Sequence, residues 1–357
     1  MAPEVILQAL IALPFAVAFA VSAALAPGII GMLKRRGAGQ VISQDGPQSH
    51  LAKQGTPTMG GLIILAGTFA GCLAAVVASR NPKWVLNTGA LTRHSDLAAV
   101  LYLATGYALI GMLDDYLTIR QPAGIRGIPS KPKALMQAVL AALFLTWLAF
   151  GRTEGFVPVL VVGGHQILSG VWYWVFACAF IVGMTNFVNI SDGLDGLAAG
   201  LAALAAMVLV CCAIMLPWGV RSECDLTLYG LLPAVAGACT AFLWFNAHPA
   251  KVFMGDTGSL AIGASLSAAA IVAHKEALLV VIGFVFVLEG LSTAVQWAVF
   301  KFTRITTGTG RRVFRKSPLH HHYELSGWPE PMVVARFWIL GVLASVAGFA
   351  GAVWRIW

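Results

Sequence analysis

The chain has 357 residues, of which 59% are hydrophobic and only 11% charged, with a formal net charge of +8 and a mean hydropathy of +0.82. A soluble domain carries about 25% charged residues, so this composition excludes an ordinary soluble protein. The long unbroken apolar runs also exclude a membrane β-barrel, which would show alternating segments of about ten residues. The positive charge does not indicate nucleic acid, because in so apolar a chain it gathers in the loops that set membrane orientation.

Runs of roughly 18 or more apolar residues read as transmembrane helices. Ten are expected, near 4–33, 60–79, 97–113, 134–150, 171–188, 196–216, 227–245, 258–273, 277–300 and 333–354. They describe an all-α, polytopic integral membrane protein, a single transmembrane domain over residues 1–357. The opening MAPEVILQAL has no basic leader, and Lys34, Arg35 and Arg36 follow the first run. An uncleaved first helix with its N-terminus outside is therefore expected. Of the 23 Lys and Arg, fifteen fall in loops after odd-numbered spans, among them Lys53, Arg126, Lys131 and Lys316. Seven fall after even-numbered ones, among them Lys83, Arg93, Arg152 and Arg221, and Arg336 lies within the last span. The excess places the odd loops in the cytoplasm and both termini outside. The six cysteines show no CxxC spacing and read as packing residues.

Polar clusters sit in those same odd loops or at the helix ends facing them. KQGTPTMGG (Lys53–Gly61) offers hydroxyls and backbone N–H groups near a helix start, an arrangement suited to phosphate although no Walker motif is present. Asp114 and Asp115 follow at the expected end of the third span. A lone Asp there would read as a solvated helix end, but a pair repels itself unless a cation joins it. Asn189, Asp192 and Asp195 recur at i, i+3, i+6. On a continuous helix they would address one cavity, while one of them could instead cap the sixth span. Asp256 stands just before the eighth span, as a cap or as an oxygen ligand for Mg²⁺, with Asn246 and Phe253 beside it. His320, His321 and His322 are consecutive. On a helix they fan out by 100° each, and the chain has no further Cys or His at structural-zinc spacing. One or two of them are expected on an anionic oxygen. Glu289 and Arg336 are the intramembrane exceptions, expected to pair or line a cavity. Carboxylates collected at one membrane face argue against a secondary transporter, whose site would lie near the midplane.

The strings GTPTMGG, LDDY, NISDGLDGLA, FMGDTGSLA and LHHHYELSGWPE together resemble the successive motifs of the phospho-N-acetylmuramoyl-pentapeptide transferase (MraY) family. The similarity runs from about Lys53 to Phe337, and HHHYE points to the muramoyl branch of the wider sugar-phosphate transferases. The resemblance implies Mg²⁺-dependent transfer of phospho-MurNAc-pentapeptide from UDP-MurNAc-pentapeptide to undecaprenyl phosphate in the lipid bilayer, giving lipid I and UMP. It implies a bacterial inner-membrane enzyme with its site on the cytoplasmic face, and leaves a homodimer open. By the same carry-over Asp256 would hold the metal, and Asp114 and Asp115 would lie beside the attacking phosphate. Lys53, Asn189, Asp192, Asp195, Asn246 and Phe253 would contact the nucleotide or metal region, with Phe253 beside uracil. His320, His321 and His322 would approach the donor's phosphate or sugar. Thr58, Lys131 and Gln296 are further substrate candidates.

Overall fold

The computed structural model describes residues 3–39, 53–80, 94–120, 127–151, 156–215 and 227–357. Lys83, Arg93, Arg126, Arg152 and Arg221 of the loop count lie outside them. The helices are α1 (Pro3–Arg35), α2 (Gly61–Ser79), α3 (His94–Arg120), α4 (Ser130–Phe150), α5 (Gly170–Ser191), α6 (Leu197–Met215), α7 (Leu232–Asn246), α8 (Gly255–Val272), α9 (Glu276–Ile282), α10 (Phe284–Thr307), α11 (Leu319–Glu324) and α12 (Glu330–Val353). Among the described residues nine helices are long and apolar enough to cross a membrane. The sixth expected span, α6, is apolar but shorter over its described side chains, Leu197–Ala213. The chain is an all-α multi-pass membrane protein.

Three local features depart from expectation. The ninth span bends at Gly283, whose φ of −88° and ψ of 17° interrupt the helix between α9 and α10; glycine is a common site for such breaks. The third span runs past Asp114 and Asp115 to Arg120, so the acidic pair lies inside a helix and not at its end. Between α4 and α5 a hairpin pairs β1 (Val159–Val162) antiparallel to β2 (His165–Ser169). Gly163 and Gly164 form its two-residue turn with φ of 60° and 76°, values that favour glycine and match the right-handed twist of the strands.

Helix α8 is the centre of the bundle and packs most extensively on α3 and α5. From Thr257 to Val272 every residue of α8 is buried, and glycine, serine and alanine predominate. Lipid tails are as apolar as these side chains, so helices associate through close packing, which small residues allow. A Cβ on Gly111 of α3 would strike the Asp256 backbone, and one on Gly61 of α2 would strike Gly258. These two approaches lock the first turn of α8 against α2 and α3.

The ends of the helices sort into two faces. The C-terminal ends of α3 and α5 and the N-terminal ends of α4, α8 and α12 meet at one face. The hairpin lies at the other, where the Gly163 N–H donates to the Ile356 carbonyl beyond α12.

Candidate active site

The first cluster is built around the start of α8. A helix start leaves backbone N–H groups unsatisfied, and here a carboxylate from another helix supplies the acceptor. Asp115 on α3, 7% exposed, accepts from Asp256 N–H (3.1 Å), Thr257 N–H (3.0 Å) and the Thr257 hydroxyl (2.7 Å). Asp256 is therefore not the cap. Its side chain turns into the cleft, where Oδ1 accepts from Asn189 Nδ2 at 2.7 Å and Oδ2 pairs with Lys133. The Lys133 ammonium also lies 3.4 Å from Asp114. Asp114 in turn accepts from Ile128 N–H at 2.9 Å, which folds the residues before α4 over the acid. Asp192 follows the last residue of α5 and lies beside the Gly255 N–H. Desolvation first, then the Asp256 and Asp115 carboxylates, hold its pKa well above the ordinary Asp range. Asp114 and Asp256 thus share one lysine, with Asp115 and Asp192 gathered behind Asp256.

The i, i+3, i+6 residues Asn189, Asp192 and Asp195 do not share one cavity as expected. Helix α5 stops at Ser191 and the chain turns through Gly196, whose φ is +80°, a region glycine enters without cost. Asn189 and Asp192 stay with Asp256, while Asp195 swings into a second cluster. There Lys53 Nζ lies 2.6 Å from Asp195 and 2.5 Å from Glu330. His248 Nδ1 lies 3.1 Å from Asp195 and 3.6 Å from Glu330. Asp195 does not cap α6. Glu330 accepts its N–H at 2.8 Å, and Asn246 Oδ1 accepts that of Gly196 at 3.0 Å.

Asp195, His248 and Glu330 have ligand atoms within 4.8 Å of one another, a spacing a metal ion would suit. The Lys53 ammonium already bridges the two carboxylates and supplies the cation there. It also stands 5.9 Å from the centre of the Phe253 ring. A cavity of about 650 Å³ opens between Lys53, Asp195, His248, Trp328 and Glu330, within the roughly 300–1,000 Å³ of ligand pockets.

The histidines form a short helix, α11, and their rings go to three different partners. His320 is buried against Glu289. His321 pairs with Glu324 at 2.9 Å, and burial pushes its pKa down to about 4. His322 Nδ1 accepts from Arg315 N–H at 3.1 Å. Glu289 and Arg336 do not pair with each other: Arg336 lies 3.9 Å above the Trp328 ring, which stacks on Tyr323 at 4.5 Å.

Other sequence candidates are placed as supports or at the edge. Asn246 donates to the Val252 carbonyl as well as accepting from Gly196. The Gln296 amide accepts from Val313 and Phe314 N–H and donates to the Phe314 carbonyl, holding the segment before α11. Thr58 is buried, with its hydroxyl beside Gly255. Lys131 is exposed, whereas Lys133 enters the aspartate cluster. Two residues apart on a helix is about 200°, so only one of the two can face the cleft. Lys133, His248 and Glu330 escaped the sequence reading. Glu330 ends the LHHHYELSGWPE string and His248 lies in WFNAHPAK, so proximity to the motifs was the available signal.

Residues 97–274 match the Glycosyl transferase family 4 description, and residues 53–65 match phospho-N-acetylmuramoyl-pentapeptide-transferase signature 1. The chain is 44% identical over 345 residues to a protein of Pelotomaculum thermopropionicum named phospho-N-acetylmuramoyl-pentapeptide-transferase, covering 94% of this chain and 96% of that one. A protein of that name from Geobacillus kaustophilus is 42% identical over 96% of this chain and 98% of its own. Another from Oceanobacillus iheyensis is 41% identical over 93% and 94%. With the motifs in place at one face of the bundle and relatives aligned along nearly the whole length, the chain belongs to the phospho-N-acetylmuramoyl-pentapeptide transferase family.

Proposed function

We infer that the chain transfers phospho-MurNAc-pentapeptide from UDP-MurNAc-pentapeptide to undecaprenyl phosphate, forming lipid I and UMP, the first membrane step of peptidoglycan synthesis. The observation that carries the reading is the gathering of Asp114, Asp115, Asp192 and Asp256 about the start of α8 at one end of the spans, with Lys133 between Asp114 and Asp256. One substrate is soluble and anionic, and the other is a lipid whose phosphate lies at the membrane surface. A site at helix ends meets both. The loop charges support a cytoplasmic site in the inner membrane, with both termini outside.

The donor set fits Mg²⁺. It consists of hard carboxylate oxygens whose charge exceeds what Lys133 balances, and Mg²⁺ binds through one or two carboxylates completed by phosphates and water. Asp256, unencumbered by capping, would hold it, and the ion would supply charge stabilisation at the transferring phosphoryl group. The acceptor phosphate attacks the phosphorus attached to the sugar. A new P–O–P bond forms, the bond to the UMP oxygen breaks, and UMP leaves with the electron pair. A phosphate monoester has a second pKa of about 6 and is largely dianionic at neutral pH, so it needs no strong base. Asp114 and Lys133 position it, and Asn189 orients Asp256. Lys53 and Phe253, at the rim of the second cluster, bind the nucleotide, with Asp195 and Glu330 fixing the ammonium. Catalysis on this reading is positioning and electrostatic stabilisation, with direct attack and no aspartyl-phosphate.

The test is release of UMP by the purified chain with undecaprenyl phosphate and either UDP-MurNAc-pentapeptide or UDP-GlcNAc, with and without Mg²⁺. Turnover of the muramoyl donor alone, abolished by chelation, is expected. Preference for UDP-GlcNAc or full activity without Mg²⁺ would refute the assignment.

A further inference from the structure

Glu289 is a fully buried carboxylate within an apolar helix, and the function above does not use it. Both its oxygens go to His320. Oε1 accepts from the His320 backbone N–H at 3.1 Å, and Oε2 lies 2.9 Å from ring Nδ1. A carboxylate beside Nδ1 keeps the proton on that nitrogen and leaves Nε2 as the ring's one remaining hydrogen-bonding position. Nε2 is buried and has no hydrogen-bond partner. It rests on Gly193, where a Cβ would collide with it. Gly193 lies in the turn between Asp192 of the aspartate cluster and Asp195 of the Lys53 cluster. The ring is thus 1% exposed, held on one side and unsatisfied on the side facing the join between the two half-sites.

We propose that Glu289 is a positioning residue for the transfer: it fixes the tautomer and angle of His320, whose Nε2 edge packs on Gly193 and so sets the Asp192–Asp195 turn that joins the two half-sites. This rests on reading the Asp192–Asp195 turn as part of the donor site. The geometry explains two otherwise unrelated facts. An acid sits inside a membrane helix, where ionisable groups are costly and usually functional, and a buried ring nitrogen remains orphaned where nearly all such groups are paired. A role limited to tying α10 to α11 would account for the backbone bond but not for the second oxygen on the ring or for the bare glycine opposite Nε2.

The experiment uses the full-length purified chain and its Glu289→Gln, Glu289→Asp, His320→Gln and Glu289→Gln/His320→Gln variants. Gln keeps the shape, but its amide can accept only one of the two bonds. Glu289→Gln should lower kcat on the order of 10–100-fold, the range for outer partners that orient a functional histidine, with the KM for undecaprenyl phosphate unchanged. Glu289→Asp should recover part of the loss, and the double variant should be no slower than His320→Gln. In ¹⁵N-histidine spectra the wild-type His320 should show the Nδ1–H tautomer, assigned by its absence in His320→Gln. Activity of Glu289→Gln within twofold of wild type, or losses that multiply fully in the double variant, would overturn the proposal. So would an Nε2–H tautomer in the wild type, which decides the matter even if Glu289→Gln fails to fold. If the wild type transferred nothing from the muramoyl donor, the functional reading would fail, while the spectrum would still uphold or overturn the Glu289–His320 pairing.

Discussion

Asp115 and Asp256 are both acidic, both in motifs, and in direct contact, yet the structure gives them opposite burdens. Asp115 holds the start of α8 through three hydrogen bonds to its carboxylate. Asp115→Asn retains one oxygen acceptor and loses the other along with the charge. A hydrogen bond to a charged group contributes about 1.5–3 kcal/mol, and an N-cap about 0.5–2 kcal/mol. The loss at this 7% exposed site should therefore be about 2–3 kcal/mol, with little screening by solvent. Asp256→Asn keeps the bond to Asn189 and relieves repulsion among the remaining carboxylates, which offsets the lost Lys133 pair at a side chain 23% exposed. Its stability should stay within about 1 kcal/mol of wild type, while its transferase activity collapses. The assay is thermal unfolding of both variants in one detergent, with UMP release measured on the same preparations. A stable Asp115→Asn, or an Asp256→Asn that loses stability as severely, would refute the division of labour.

Lys133→Met should reduce turnover at least tenfold, because it leaves Asp114 and Asp256 facing each other without a cation, whereas Lys131→Met should remain near wild type; parallel kinetics of the two variants check which face of α4 enters the site. Gly111→Ala should destabilise the chain by about 3 kcal/mol or more, since its methyl overlaps the Asp256 backbone and the crossing cannot relax without moving α8; thermal unfolding reads this directly. His321, held at about 4 against an ordinary 6.5, stays neutral in the folded chain where the unfolded chain would bind a proton. Its contribution is thus fully present above pH 6.5 and lost as pH falls towards 4, by about 3 kcal/mol at most, and His321→Gln should flatten that part of the stability–pH curve.

The helical class and most spans were legible because hydropathy integrates over some twenty residues and tolerates errors at the ends. What escaped were events of one or two residues. Gly283 bends the ninth span, and the paired glycines of the hairpin turn a loop into strands. In the site, residue types and the crowding of motifs at one face were readable, but partners were not. The spacing of Asn189, Asp192 and Asp195 promised one helical face, and the helix ended too soon for that to hold. Lys131 and Lys133 were equally basic on paper, and only the phase of α4 separates them. Glu330 could not be tied to Lys53 from the sequence, since it stands 277 positions further along the chain and only the packing of α12 brings them together.

A common device underlies both clusters. The start of α8 is satisfied by an acid from α3, and the residues entering α6 are satisfied by Glu330 from α12 and Asn246 from α7. Capping a helix from a distant segment removes the need for a local Ser or Asp cap, so the first turn can present its own side chains to the cleft. That is why Asp256 is available beside Lys133, and why Asp195 can be directed at Lys53. It also makes the site cooperative with the fold: the backbone bonds that start these helices are made only when α3, α7 and α12 are docked. The acids that satisfy those helix starts, Asp115 and Glu330, are therefore the framework. Asp114 and Asp256, which meet at Lys133, are the ones left for chemistry.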